Sequence, residues 1–212
     1  MYFCFHNPLY SKLREISTMG KRENNKFLVR EKLLDYSFDL FQKKGVENTT
    51  VSDIIELAEI GRGTFYNYFT DVNDIFDSII EQLNIDIEKE VKLSRKDSKN
   101  TYEYLYKSFL GYFNLISSKK MINFHLKNQN YIRKSTYRSK VILSMIRDLM
   151  RDMKYKLKAK EFDNKHDFLL LSFMLVGTPP ELFVNTHLLN LKISNEELAS
   201  FLTKMYSKVL NK

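Results

Sequence analysis

The sequence has little of what would commit a chain of 212 residues to sheet, disulfide or metal chemistry: one cysteine, three prolines, six glycines and no tryptophan. The single Cys4 excludes an internal disulfide, and the scattered His6, His125, His166 and His187 offer no paired spacing for zinc. No metal and no cofactor are therefore expected. So few chain breakers, with little period-2 alternation, predict an all-α fold. No apolar run reaches the roughly 20 residues that a membrane span needs, so the sequence predicts no membrane partner and a cytoplasmic protein. Met1 to Phe5 is apolar, but no basic stretch precedes it and no small-residue cleavage site follows, which argues against a signal peptide. Residues 1–20 read instead as a flexible tail or a mis-annotated start, with Met19 as a candidate initiator. Glycine-rich phosphate loops, nucleophile motifs and His clustered with carboxylates are also missing, so no catalytic residue is assigned and the chain does not read as an enzyme.

What is present is charge, unevenly spread. The net charge is +8, yet residues 20–70 carry 8 basic and 8 acidic side chains, and residues 71–90 carry 1 against 7. The surplus sits in residues 91–160, with 18 Lys or Arg against 4 Asp or Glu. A run of that kind is more often a solvated face than an anion-binding patch, so bulk charge does not by itself argue for nucleic acid.

Helix signals organise the chain. Leu33, Leu34, Phe38, Leu40 and Phe41 recur at helical spacing over residues 25–44, ended by Lys43, Lys44 and a Gly45 able to take positive φ. A short helix over 51–58 follows, with Thr50 as N-cap and Asp53 three residues on, a capping box. After a tight turn at Glu59 and Ile60, a third helix is predicted from Gly61 or Arg62 to Phe69. A long fourth helix, capped by Asp71 and Asp74, is predicted from Val72 to about Lys92. Further helices are predicted over 101–118, 120–129, 135–159, 163–190 and 194–210, the penultimate one kinked or split at Gly177, Thr178, Pro179 and Pro180. Two short helices joined by a tight turn match a helix-turn-helix, whose second helix enters the major groove.

On that second helix, steps of ~100° put Phe65 and Phe69 on one side and Gly63, Thr64 and Asn67 on the other, with Tyr66 and Tyr68 on the flanks. The phenylalanines read as core. The rest suits DNA: Gly63 admits close backbone approach, Thr64 reaches a thymine methyl or a base edge, Asn67 pairs with adenine, and the tyrosine hydroxyls reach phosphates. Two tyrosines around an asparagine are poor core material.

Residues Leu33 to Phe76 resemble the TetR family of bacterial regulators. The resemblance is carried by LLDYSFDLFQKKGVENTTVSDIIELA, the turn, RGTFYNYF, and the polar entry to DIF. It implies an amino-terminal three-helix DNA-binding domain (21–70), linked by the long fourth helix to a carboxy-terminal helical domain (71–212) for effector binding and dimerisation. It implies a homodimer on a palindromic duplex operator, acting as a repressor released by a small-molecule effector. A TetR-fold activator, or an adaptor working through a partner protein, is the alternative. Thr50 is implied to contact backbone phosphate, and Arg62 to Tyr68 to sit in the groove. The chain departs from the family pattern at Glu59, at Gly61 and, above all, at Thr70 and Val72, where members commonly carry lysines. Two phosphate contacts are thereby lost, each contributing about one unit to the salt slope of binding. Lys21 and Arg22, with Lys26 and Arg30, are the cations expected to compensate from the amino-terminal arm.

In the remainder, an apolar stripe of Leu198, Phe201, Leu202, Met205, Tyr206 and Val209 needs a partner. Phe201, Leu202, Met205 and Val209, with Phe168, Leu171, Met174 and Leu175 on the preceding helix, are the candidate dimer face, built as a four-helix bundle. Dense aromatics upstream suggest a ligand pocket lined by Tyr106, Phe109, Phe113, Phe124, Tyr137 and Phe173, although a plain helical core explains them equally well.

Overall fold

A computed structural model of the chain describes residues 20–155 and 164–210. Expectations for residues 1–19, Cys4 and His6 among them, and for the end of the helix predicted over 135–159 lie outside the described residues. Within them the secondary structure is entirely helical, in the order α1 (Lys21–Lys44), α2 (Val51–Ala58), α3 (Arg62–Tyr66), α4 (Val72–Ser94), α5 (Thr101–Ile116), α6 (Lys119–Thr136), α7 (Lys140–Tyr155), α8 (Lys165–Leu188) and α9 (Asn195–Leu210).

Local chemistry explains the boundaries. Gly45, at φ 82°, ends α1, its N–H donating to the Phe41 carbonyl; a residue with a Cβ adopts that backbone only under strain. Asn100, Ser118 and Asn164 cap α5, α6 and α8 by accepting main-chain N–H groups of the first turn, which otherwise lack partners. Helix α3 is shorter than predicted: Asn67 N donates to Thr64 O and Tyr68 N to Phe65 O, so the chain tightens into a turn after Tyr66 and does not stay helical to Phe69.

The chain divides into two compact units, the described part of Met1–Gln82 with Asn123–Ile132, and the described part of Leu83–Ile122 and Arg133–Lys212. This differs from the boundary expected at residue 70, and aromatic packing is the reason. In the first unit, Phe41 and Phe76 meet edge to face with centroids 5.4 Å apart, and Phe124 of α6 stacks on Phe76 at 5.6 Å and leans on Phe38 at 4.9 Å. Ile75, Phe76, Ile79 and Ile80 are buried with them, so the first half of α4 belongs to this core.

In the second unit, Phe113 stacks on Phe183 at 6.3 Å and Phe109 meets Tyr206 at 5.9 Å. A polar cluster is buried beside this apolar packing. Tyr104 Oη donates to Asp152 Oδ2 at 2.6 Å, and the Arg95 guanidinium lies over the Tyr104 ring at 4.5 Å, with Nη2 3.8 Å from Asp152 Oδ2. Desolvation by burial pushes the Tyr104 phenol far above its ordinary range.

Two expectations about α8 are corrected. The helix runs unbroken from Lys165 to Leu188 with Pro179 and Pro180 inside it. Proline's fixed φ suits a helix, and what it removes is an N–H donor. The carbonyls left without a helical donor are those of Leu175 and Val176; one residue earlier, Thr178 Oγ1 and Tyr206 Oη both reach the Met174 carbonyl, at 2.7 and 3.1 Å. Second, His166–Leu188 is, by length and composition alone, apolar enough to cross a membrane. Ser172, Thr178, Glu181, Asn185 and Thr186 are dispersed among its apolar residues, so no single run announces it in the sequence.

Candidate nucleic-acid interface

The first unit builds a presentation platform from its helix ends. Thr50 Oγ1 accepts from Asp53 N at 3.2 Å, while both Thr50 N and Thr50 Oγ1 donate to Asp53 Oδ2 at 2.7 Å. Lys44 Nζ closes on the same oxygen at 2.9 Å. The hydrogen bond from Lys44, followed by those from Thr50, lowers the Asp53 carboxyl to about 2. Thr50 is exposed, but its hydroxyl proton is engaged by Asp53, so the phosphate contact implied for it requires that hydroxyl to leave the carboxylate.

The turn after α2 passes through Glu59 in the left-handed region, φ 52° and ψ 45°, and an extended Gly61 then opens α3. Phe65 and Phe69 are buried together, their centroids 6.1 Å apart. On the other side Tyr66 is 52% exposed, Asn67, Arg62 and Gly63 are exposed, and Thr64 and Tyr68 are half-buried. A Cβ at Gly63 would meet nothing within 4 Å, so the helix surface there is bare. Arg62 Nη2 donates to Ser52 Oγ at 2.8 Å, which holds the guanidinium against the start of α2. Ser52 belongs to no recognisable motif, and sequence reasoning missed it; only the turn brings it to Arg62.

The flanks are electrostatically mixed. Lys21, Arg22 and Lys26 are exposed on the first turns of α1. Arg30 is exposed as well, with its guanidinium 5.4 Å from the Phe69 ring centroid and 3.8 Å from Glu31 Oε1. At the entry to α4, Asp71 Oδ1 accepts from Asn73 N and Asp74 N at 2.7 and 2.9 Å, and Asp74 Oδ2 accepts from Thr70 N at 2.8 Å. The first-turn amides that often receive an anion at a helix start are here bonded to the chain's own carboxylates.

The other predicted site residues are dispersed. Phe109 and Phe113 lie in the second unit's core, Tyr106 stacks on Tyr102 at 6.4 Å, and Tyr137 meets Phe173 edge to face at 6.4 Å. Phe124 does not join them: it belongs to the first unit, between Phe38 and Phe76, because α6 carries it there. Of the candidate dimer residues, Phe168, Leu171, Leu175 and Leu202 are buried within their own chain, whereas Met174, Phe201, Met205 and Val209 are exposed, as are Leu170 and Phe173. Among the described residues no group of three or more His, Cys, Asp or Glu is placed to hold a metal.

A capped short helix, a tight left-handed turn and a second short helix pinned by two phenylalanines, its polar face turned outward, define a helix-turn-helix protein. Residues 33–79 match the family described as bacterial regulatory proteins, tetR family. The amino-terminal segment from the middle of α1 to the first part of α4 is thus of the kind that this family shares. It is 34% identical over 65 residues to an uncharacterized HTH-type transcriptional regulator, YvdT, of Bacillus subtilis (strain 168), covering 31% of this chain and 32% of that protein. The match thus spans about a third of that relative's length.

Two solved structures share the fold more widely. The fatty acid degradation regulator FadR from Bacillus halodurans superposes with a TM-score of 0.67 over 83% of this chain and 93% of its own, at 17% identity. FadR from Bacillus subtilis, solved in complex with stearoyl-CoA, gives a TM-score of 0.66 over 82% and 95%, at 18% identity. At such identities the likeness concerns the fold alone.

Proposed function

We propose that the chain is a sequence-specific DNA-binding transcriptional regulator that works as a homodimer in the cytoplasm, with α3 in the major groove of each half of a palindromic operator. The observation that carries this reading is the division of α3 into two faces. Phe65 and Phe69 anchor the helix, so Tyr66 and Asn67 are held outward by packing and need no partner of their own. Thr64 and Asn67 read base edges, Tyr66 and Tyr68 position the helix on phosphates, and Gly63 lets the backbone close on the groove. Arg62 reads or clamps after leaving Ser52, and Thr50 meets a phosphate after leaving Asp53. Lys21 and Arg22 add sequence-independent attraction from the start of α1.

Dimerisation is supported by α8. One side of it fills the core of its unit with Phe168, Leu171 and Leu175, and another leaves Leu170, Phe173 and Met174 in water. With Phe201, Met205 and Val209 of α9, these give the two helices six exposed large apolar side chains, the kind of surface through which proteins associate. A second copy of the same two helices closes it as a four-helix bundle. An unidentified small-molecule effector, bound in the second unit and favouring one arrangement of the two heads over the other, relieves repression. The fold is one that holds stearoyl-CoA in a relative, which supports a small-molecule effector without naming it.

The deciding experiment is selection of duplexes from a random pool, followed by a mobility shift across a salt series. A palindromic consensus with affinity falling steeply in salt supports the reading, and no salt-sensitive preference removes it. The second reading, an activator or an adaptor acting through a partner protein, is favoured by the carboxylates of Asp71 and Asp74 at the entry to α4, where Thr70 and Val72 replace cations. The same selection distinguishes an adaptor, which enriches no duplex.

A further inference from the structure

We propose that Asn128, on α6, is a positioning residue of the DNA-reading unit: it touches no DNA and holds the turn between α1 and α2, and so the angle at which the helix-turn-helix leaves α1. The inference rests on the DNA-binding reading above. It begins from a break in the helix. At Asn128 the backbone of α6 departs from helical geometry, with φ −127° and ψ 21°, although helix continues on both sides. Breaks of this kind arise where a side chain or another group enters the helical ladder.

Here the side chain is the residue's own. Asn128 is 1% exposed and every part of its amide is used. Nδ2 donates to Phe124 O at 2.8 Å, the carbonyl to which a regular helix would direct the N–H of residue 128. Nδ2 also donates to Phe41 O at 3.0 Å, in the last turn of α1, and Oδ1 accepts from Val46 N at 2.7 Å. The amide cannot be flipped in this setting, because Val46 N is a donor and the two carbonyls are acceptors. Among side chains of this size only asparagine offers one acceptor and two donors at one planar head.

The groups it holds belong to the functional turn. The Phe41 carbonyl also caps the end of α1 through Gly45 N at 3.0 Å. Gly45 itself lies against α6, where a Cβ would stand 3.3 Å from the Lys127 carbonyl. Val46 is buried, and its N–H, past the helix end, donates to Asn128 Oδ1. Three residues on, Thr49 starts the run into Thr50 and the α2 cap. Tyr131, one turn further along α6, adds a contact from its hydroxyl to Glu47 Oε1 at 3.4 Å. Residues 123–132 therefore act as a brace for the turn, with Asn128 as a buried polar fastening to the end of α1 and Val46.

The test compares wild type with Asn128→Asp and Asn128→Leu, on a duplex enriched by the wild-type protein from a random-sequence pool. Aspartate keeps the acceptor for Val46 but turns its second oxygen on two carbonyls at neutral pH; protonation returns one donor. At pH 7.5 both variants should bind at least tenfold more weakly than wild type, and the Asp deficit, unlike the Leu deficit, should shrink as pH falls to 5. Charged and titratable groups on the surrounding elements, Lys43, Lys44 and Glu47 at the turn, Asp74 and Asp77 on α4, and His125, Lys127 and Tyr131 on α6, are common to all three proteins, and the Leu variant, which has no carboxyl, controls for their own titration. Both variants binding within twofold of wild type would overturn the proposal. Hydrogen exchange in the unsubstituted, DNA-free protein decides independently of operator and of variant folding. The Val46 amide should exchange at least tenfold more slowly than that of the exposed Asn48, and equal rates would also overturn it. A pool that enriches nothing would count against DNA binding alone, leaving the exchange rates to decide the role of Asn128.

Discussion

The two units bury polar groups and cap helix starts alike, and differ in what they leave at the surface. In the first, carboxylates and hydroxyls gather at helix starts near the surface, as Thr50 with Asp53 and Thr70 with Asp74, and leave one face of α3 uncommitted. In the second, Tyr104 pairs with Asp152 and Tyr206 with Thr178 inside, helix starts are capped at the surface by Asn100, Asn164 and Ser194, and apolar side chains stay exposed on α8 and α9. The first arrangement leaves side chains free to meet an outside partner. The second ties helices together internally, where each unmade hydrogen bond is costly.

The contrast can be broken most severely inside α3. Phe65→Ala, at a fully buried site, should cost about 3–5 kcal/mol and abolish DNA binding with it. Its neighbour change, Tyr66→Ala, should leave stability within about 0.5 kcal/mol while operator affinity falls. Thermal unfolding beside a mobility shift separates the two, and equal stability losses would erase the distinction between anchor and reader. In the second unit, Tyr104→Phe removes a hydrogen bond to a buried carboxylate and should cost about 1.5–3 kcal/mol in unfolding experiments. Operator affinity of the folded protein should stay within twofold, and a large loss there would show that this cluster is not merely internal.

Smaller effects sharpen the electrostatic side. Replacing Lys21 and Arg22 together by alanine should lower the slope of log affinity against log salt by up to about 2, equally for specific and random duplexes. An unchanged slope would remove the arm from the interface. Asp53 should show the least visible effect. Its carboxyl is held at about 2 in the fold against an ordinary 3.8, so its contribution is fully present above pH 3.8 and is lost as pH falls through about 2. A carboxyl titration followed by NMR should find its midpoint near 2, and one near 3.8 would dissolve the Lys44 and Thr50 contacts in solution.

The same contrast explains what could be read from residues alone. Helix α2, its Thr50–Asp53 box and the Phe65–Phe69 anchor are local features within twenty residues, and sequence spacing is enough to place them. The burial of Phe124 in the first unit, the Ser52 hydroxyl on Arg62 and the role of Asn128 join residues from 10 to 87 positions apart. No periodicity encodes such meetings. For α8 and α9 the pattern indicates apolar residues without saying which side turns inward, so Leu171 and Met174 look alike in sequence and differ in the fold.

The rings of Phe38 and Phe76 have a consequence for anyone wishing to transplant the reading head. A cassette cut after residue 82 would leave both faces wetted where Phe124 had covered them, and would aggregate or loosen before it met any duplex. Exchanging operator preference between relatives thus calls for grafting the outer side chains of α3 alone, or for carrying the distant ten-residue patch along with the head.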